Sequence, residues 1–158
     1  MPDPDTPSLT ILLIDDCAEE RAAWKRHLES LSSHYHCAEA DSGRTGIDYC
    51  RSLKPDCVVL EIDLKDMSGF EVLHEVVPDS TKPTTAFVIL TRLNFPPAHY
   101  AAKIMGAQEF LWKKSTTPLQ LQQAIRNAIT QVAAESTISH WCDDNAGSTG
   151  TMSAILIA

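Results

Sequence analysis

The sequence predicts an α/β fold: a doubly wound five-stranded parallel sheet with helices on both faces. The apolar runs in "LTILLID", "CVVLEI" and "TAFVILT" are short and unbroken rather than alternating, as in strands buried on both faces. Between them lie segments whose apolar residues recur at helical spacing. Strand and helix alternate five times, and parallel strands need such crossovers, which are right-handed and usually helical.

After a leader over 1–8, Leu9 to Asp15 is the first strand, rich in Ile and Leu. Trp24, Leu28 and Leu31 then repeat at helical spacing among Glu, Arg and Lys. "HCAEA" (His36 to Ala40) is the second strand, and "DSGRTG" turns into a helix reaching about Leu53. "KPD" breaks the chain before the third strand, "CVVLEI", and Phe70, Leu73 and Val77 share one side of a helix over Gly69 to Val77. Thr85 to Thr91 is the fourth strand. The helix from Ala98 to Ala107 meets a glycine stop at Gly106. "EFLWK" is the fifth strand, and Leu121, Ala124, Ile125, Ala128, Ile129 and Val132 line the closing helix. The domain is expected over 9–135 and a tail, flexible or docked, over 136–158.

A chain of 158 residues suits one domain with a substantial core. Its net charge of −8, with no run of Lys or Arg, argues against a nucleic-acid surface. No stretch approaches the ~20 apolar residues of a membrane span. "MPDPDTPS" is neither a signal nor a transit peptide. Cys17, Cys37, Cys50, Cys57 and Cys142 are odd in number with no C-x-x-C pair, which points to reduced thiols and a cytoplasmic location.

Ligands in doubly wound folds sit outside the carboxyl ends of the strands, where strand order reverses. Those ends carry Asp15 and Asp16, Glu61, Thr91 and Lys113. The acids suit a hard cation such as Mg2+, while the lysine and the hydroxyl suit phosphoryl oxygens. Glu61, at the end of a buried run, costs free energy unless something pairs with it.

In these blocks, "LLIDD", "KPDCVVLEIDLKDMSGFEVL", "FVILT" and "GAQEFLWK", the chain resembles the receiver domain of two-component response regulators, over roughly Leu9 to Val132. The resemblance implies a flavodoxin-like (βα)5 receiver fold. It implies that Asp15 and Asp16 hold Mg2+, with Glu61 as a third ligand if the metal is retained. Thr91 takes the place of the hydroxyl that reports phosphorylation, Lys113 that of the lysine contacting the phosphoryl group, and Phe110 that of the aromatic residue that changes rotamer on activation. Counting back eight residues from Gly69 puts Glu61, not an aspartate, at the phospho-acceptor position; Asp63 is out of register by two.

Other departures gather at the same rim. Lys65 stands where a proline is common, Arg92 where a small residue leaves the pocket open, and Lys114 where a proline follows the lysine in a bond that is usually cis. A cis bond costs ~2.5–4 kcal/mol before a non-proline residue, so this peptide is trans or strained. Arg92 either covers the pocket and pairs with Glu61 or extends into solvent. The glutamate carboxylate reaches about 1.5 Å further than that of aspartate. It approaches the place of phosphoryl oxygens and comes within range of Lys113 and Thr91. The same lengthening misplaces a nucleophile, and an error of about 1 Å costs on the order of 100-fold.

The expected protein is therefore an atypical single-domain receiver, not an enzyme, resting in one state as a phosphorylation-independent interaction module. Its partners by resemblance are a histidine kinase, another receiver or an effector, met through the face of the fourth helix, fifth strand and fifth helix; that face also allows a dimer. The alternative is a working phospho-relay receiver that accepts a phosphoryl group from a histidine kinase with Mg2+, on Glu61 or Asp63. A hydrolase or nucleotide-binding enzyme on this fold is disfavoured, because there is no Gly-rich phosphate loop and no Ser-His pair.

Overall fold

The computed structural model describes residues 6–145, with side chains through residue 140. Five strands, β1 (Leu9–Ile14), β2 (Tyr35–Ala40), β3 (Cys57–Leu60), β4 (Ala86–Thr91) and β5 (Glu109–Trp112), form one sheet in the order β2-β1-β3-β4-β5. Every pairing is parallel. The helices are α1 (Ala18–Leu31), α2 (Gly43–Leu53), α3 (Gly69–Val76), α4 (Pro96–Ile104) and α5 (Pro118–Asn145). This is the expected α/β architecture.

Strand side chains alternate between two apolar layers, because successive residues point to opposite faces. Ile11, Leu13, Val59, Val88 and Leu90 pack with Leu28 of α1 and Leu121, Ile125 and Ala128 of α5. Leu12, Ile14, Val58, Leu60, Phe87 and Ile89 pack with Ile47 of α2, Val72 and Leu73 of α3 and Ala102 of α4. Both faces are buried, which is why the strands read as unbroken apolar runs rather than alternating ones.

Several boundaries differ from the sequence reading. The ladder of β3 ends at Leu60, so Glu61 and Ile62 lie just beyond the strand, although the Glu61 N–H still bonds Ile14 O at 2.9 Å. Helix α4 begins at Pro96, two residues early, because proline suits the first helical position, where no N–H is needed. It ends at Ile104, two residues before Gly106, whose φ of +104° is the left-handed conformation of a helix stop. Strand β5 stops at Trp112, and Lys113 opens a 3-10 turn, Lys113–Ser115.

Helix α5 runs ten residues past the expected domain end at 135, since no glycine or proline interrupts the chain before Gly147. Of the expected leader, 1–5 lie outside the described residues, as do 146–158 of the tail, including Gly147 to Gly150 and "SAILIA". No described helix is long and apolar enough to cross a membrane. Cys17, Cys37, Cys50 and Cys57 are free thiols.

Candidate functional site

The strand order reverses between β1 and β3, and the crevice at their carboxyl ends gathers the residues singled out above. Among the described residues the buried polar and charged side chains are Asp15, Glu61 and Thr91, at 5%, 1% and 0% exposure. All three are strand-end residues of that crevice. Burial of this kind is tolerable only with full hydrogen bonding.

Local chain geometry sets each one in place. Asp15 follows β1 directly, and its Oδ1 accepts the Cys17 N–H at 2.9 Å at the entry to α1. Its carbonyl accepts from the Arg21 guanidinium at 2.6 Å. The loop that follows Glu61 is drawn back onto the strand by Gly69, whose N–H bonds Ile62 O at 2.8 Å. A Cβ at Gly69 would lie 2.7 Å from the Glu61 carbonyl oxygen, so only glycine permits this return. Ser68 caps α3 there, completing a capping box with Glu71.

The Glu61 carboxylate is fully engaged. Oε1 accepts from Thr91 Oγ1 at 2.5 Å and from the Asp63 N–H at 3.0 Å. Oε2 accepts from the Arg92 N–H at 3.2 Å and lies 3.0 Å from Lys113 Nζ. A carboxylate offers about four lone-pair sites, and here each has a donor. Burial works most strongly against its charge. The bonds from Thr91, the Asp63 N–H and Lys113 together outweigh it and hold the carboxyl below its ordinary value.

Thr91 Oγ1 in turn accepts the Leu93 N–H at 3.1 Å, and the Trp112 indole donates to the Arg92 carbonyl at 3.2 Å. The carboxylate thus sits in a network joining the ends of β3, β4 and β5.

The Lys113 ammonium contacts three carboxylates: Asp15 Oδ2 at 2.5 Å, Glu20 Oε2 at 2.6 Å and Glu61 Oε2 at 3.0 Å. Burial opposes its charge, and these bonds outweigh that, raising its pKa above the ordinary lysine value. The guanidinium of Arg92 leans across the rim, 3.8 Å from Glu61 and 3.9 Å from Asp16, with 46% of its side chain exposed. At that exposure and distance the pairs contribute little. No described peptide is cis, so the Lys113–Lys114 bond is trans.

Phe110 is half-buried against the α3–α4 side of the core and stacks on His99 of α4, with ring centroids 4.9 Å apart. Asp63 is exposed and reaches the site only through its backbone N–H. Glu20 and the Trp112 indole were not foreseen. Glu20 lies in the first turn of α1, and its partner is Lys113, 93 residues away in sequence.

Asp15, Asp16 and Glu61, the expected Mg2+ ligands, all lie at this crevice. No described group of three or more His, Cys, Asp or Glu side chains is arranged to hold a metal ion. Glu61 has no free lone pair, Asp15 is bonded at both oxygens, and Asp16 Oδ2 accepts the Lys65 N–H at 3.0 Å. As they stand, these residues do not fit the ion.

A family model, that of the response regulator receiver domain, matches residues 11–126. The chain is 29% identical over 123 residues to the nitrate/nitrite response regulator protein NarP of Escherichia coli, covering 78% of this chain and 56% of that protein. It is 33% identical over 105 residues to protein-glutamate methylesterase/protein-glutamine glutaminase 3 of Geobacter sulfurreducens, covering 66% of this chain and 28% of that protein. The chain spans a quarter to about half of the length of such curated relatives.

Among solved structures, a CheY-like receiver domain from Methanospirillum hungatei superposes with a TM-score of 0.72 at 20% identity, covering 81% of this chain and 98% of that one. A receiver domain from Clostridium thermocellum gives 0.71 at 27% identity, covering 80% and 98%.

Proposed function

The chain belongs to the response regulator receiver domain family of two-component signalling, and from that premise we propose that it works as a phosphorylation-independent protein-interaction module, held in one state by its own glutamate. The observation that carries this reading is the four-donor capture of the Glu61 carboxylate. A nucleophilic carboxylate needs a free lone pair aimed at the incoming phosphorus, and every one of these is engaged. Transfer also depends on sub-ångström positioning, which the longer side chain forfeits.

The captured anion also sets the resting conformation. It holds the Thr91 hydroxyl inward and ties the backbone of Arg92, while Phe110 packs against the core. The anion's bond to the Thr91 hydroxyl supports reading the state held as one that resembles a phosphorylated receiver. Mg2+ would supply charge neutralisation for phosphoryl transfer in a working receiver; no step here depends on it.

The output face is that of α4, β5 and α5, where Tyr100, Ile104 and Leu119 are 71%, 58% and 64% exposed. Exposed apolar side chains of this kind suit a protein partner: a histidine kinase, another receiver or copy of this chain, or an effector. The chain itself has no enzymatic role in this reading. Relatives named as a methylesterase and a phosphodiesterase carry about three quarters of their length outside the match.

The test is intact-protein mass spectrometry after incubation with Mg2+ and acetyl phosphate. The expected result is no phosphoryl mass on the wild type and a gain on Glu61→Asp. A phosphorylated wild type that Asp63→Asn silences would make the protein a working phospho-relay receiver instead.

A further inference from the structure

Four carboxylates, Asp15, Asp16, Glu20 and Glu61, meet around the crevice, and like charges so close repel unless a cation lies among them. In this molecule the cation at their centre is covalently part of the chain. An ammonium has three hydrogens. Those of Lys113 have three carboxylate acceptors from three elements: Asp15 after β1, Glu20 on α1 and Glu61 after β3. Its side chain is 7% exposed, so water does not share the task.

We propose that Lys113 is the resident cation of this pocket, standing where clustered carboxylates would otherwise take a divalent ion. Glu20 is the third member of the cage, and the wild-type protein binds no Mg2+. The proposal rests on the reading of the pocket as a fixed one and deepens it by naming what balances Glu61.

The physical case is one of competition. Mg2+ demands near-octahedral oxygen ligands at about 2.0–2.1 Å. To enter, it would have to take oxygens of Asp15 and Glu61 that Lys113, Thr91 and backbone N–H groups already hold. It would also leave a buried ammonium short of partners, which is strongly unfavourable. A lysine tethered in the same molecule pays no translational entropy to stay, and the free ion does.

The argument runs in reverse once the lysine is gone. Removing its ammonium leaves Asp15, Glu20 and Glu61 converging on a point whose nearest cation is the half-exposed guanidinium of Arg92 at the rim, 3.8 Å from Glu61. Lys113→Ala should therefore gain a divalent-cation site, the opposite of what loss of a mere phosphoryl contact would do.

The test uses the full chain and reads melting temperature in excess EDTA and in millimolar Mg2+ or Mn2+, with loss of the free Mn2+ electron paramagnetic resonance signal as a direct binding readout. The wild type should melt at the same temperature in all three and leave the Mn2+ signal unchanged. Lys113→Ala should melt lower in EDTA and rise by about 5–10 °C at roughly a hundredfold excess of ion over its Kd. Adding Glu20→Gln should remove most of that rise.

Saturable Mn2+ or Mg2+ binding by the wild type overturns the proposal, whether or not the variant folds. So does a folded Lys113→Ala that binds no ion. A wild type that binds Mg2+ but gains no phosphoryl mass defeats this inference alone. One that also gains the mass defeats the proposed function with it.

Discussion

The Thr91 hydroxyl donates to the Glu61 carboxylate across 2.5 Å at a site where both side chains are essentially excluded from water. This bond joins the end of β4 to the end of β3. It lets a charged residue lie among the largest fully buried side chains of the domain.

Replacing Thr91 by valine keeps the shape and removes the donor. Glu61 then keeps three of its four donors, and the Leu93 N–H loses its acceptor. Loss of one partner from a buried polar pair costs about 1–3 kcal/mol. Urea denaturation of Thr91→Val should show a lower midpoint with an unchanged slope. An unaltered midpoint would mean the bond contributes nothing to stability.

The carboxyl of Glu61 is held below its ordinary value of 4.5 in the folded protein. A group depressed on folding adds stability that is present above the unfolded pKa and is lost as pH falls through the folded one. Stability of the wild type should thus decline as pH drops below about 4.5, with part of that decline due to this residue. In Glu61→Gln the decline should be shallower, measured as denaturation midpoint against pH. Identical slopes in the two proteins would show that Glu61 is not stabilised as an anion.

At Gly69 a methyl group would meet backbone atoms, Glu61 O at 2.7 Å and Ile62 Cα at 2.8 Å, which cannot rotate away. Gly69→Ala should destabilise by about 1–3 kcal/mol, as overpacking does. Because the clash falls on the residue that carries the captured carboxylate, the variant should also change the near-ultraviolet circular dichroism of Trp112, whose indole bonds the neighbouring Arg92 carbonyl. Wild-type stability in this variant would show that the loop has room to yield.

That Asp15, Thr91 and Glu61 gather at one crevice was legible because each ends an unbroken apolar run, and a polar side chain at such a place must find partners. The five alternations of strand and helix were legible for the same reason: burial on two faces imposes its own pattern on the chain. Gly106 announced the end of α4, within a residue or two of Ile104.

Helix α5 outran its expected end because apolar spacing marks where a helix packs, not where it stops. Glu20 stayed hidden as a partner of Lys113, 93 residues away in sequence, since only helix phase and crossover geometry bring the two within 2.6 Å. The donors from Asp63 and Arg92 are backbone N–H groups, which every residue but proline carries, so no pattern of side chains could reveal them.

The sequence by itself determined the sheet, the helices and the gathering of acids, hydroxyl and lysine at one edge, because hydrophobic periodicity governs which atoms leave water. Only the tertiary structure decided that Glu61 is saturated and that Lys113 lies among three carboxylates. Hydrogen bonds act over about 3 Å, and that precision comes from the packing of elements distant in the chain.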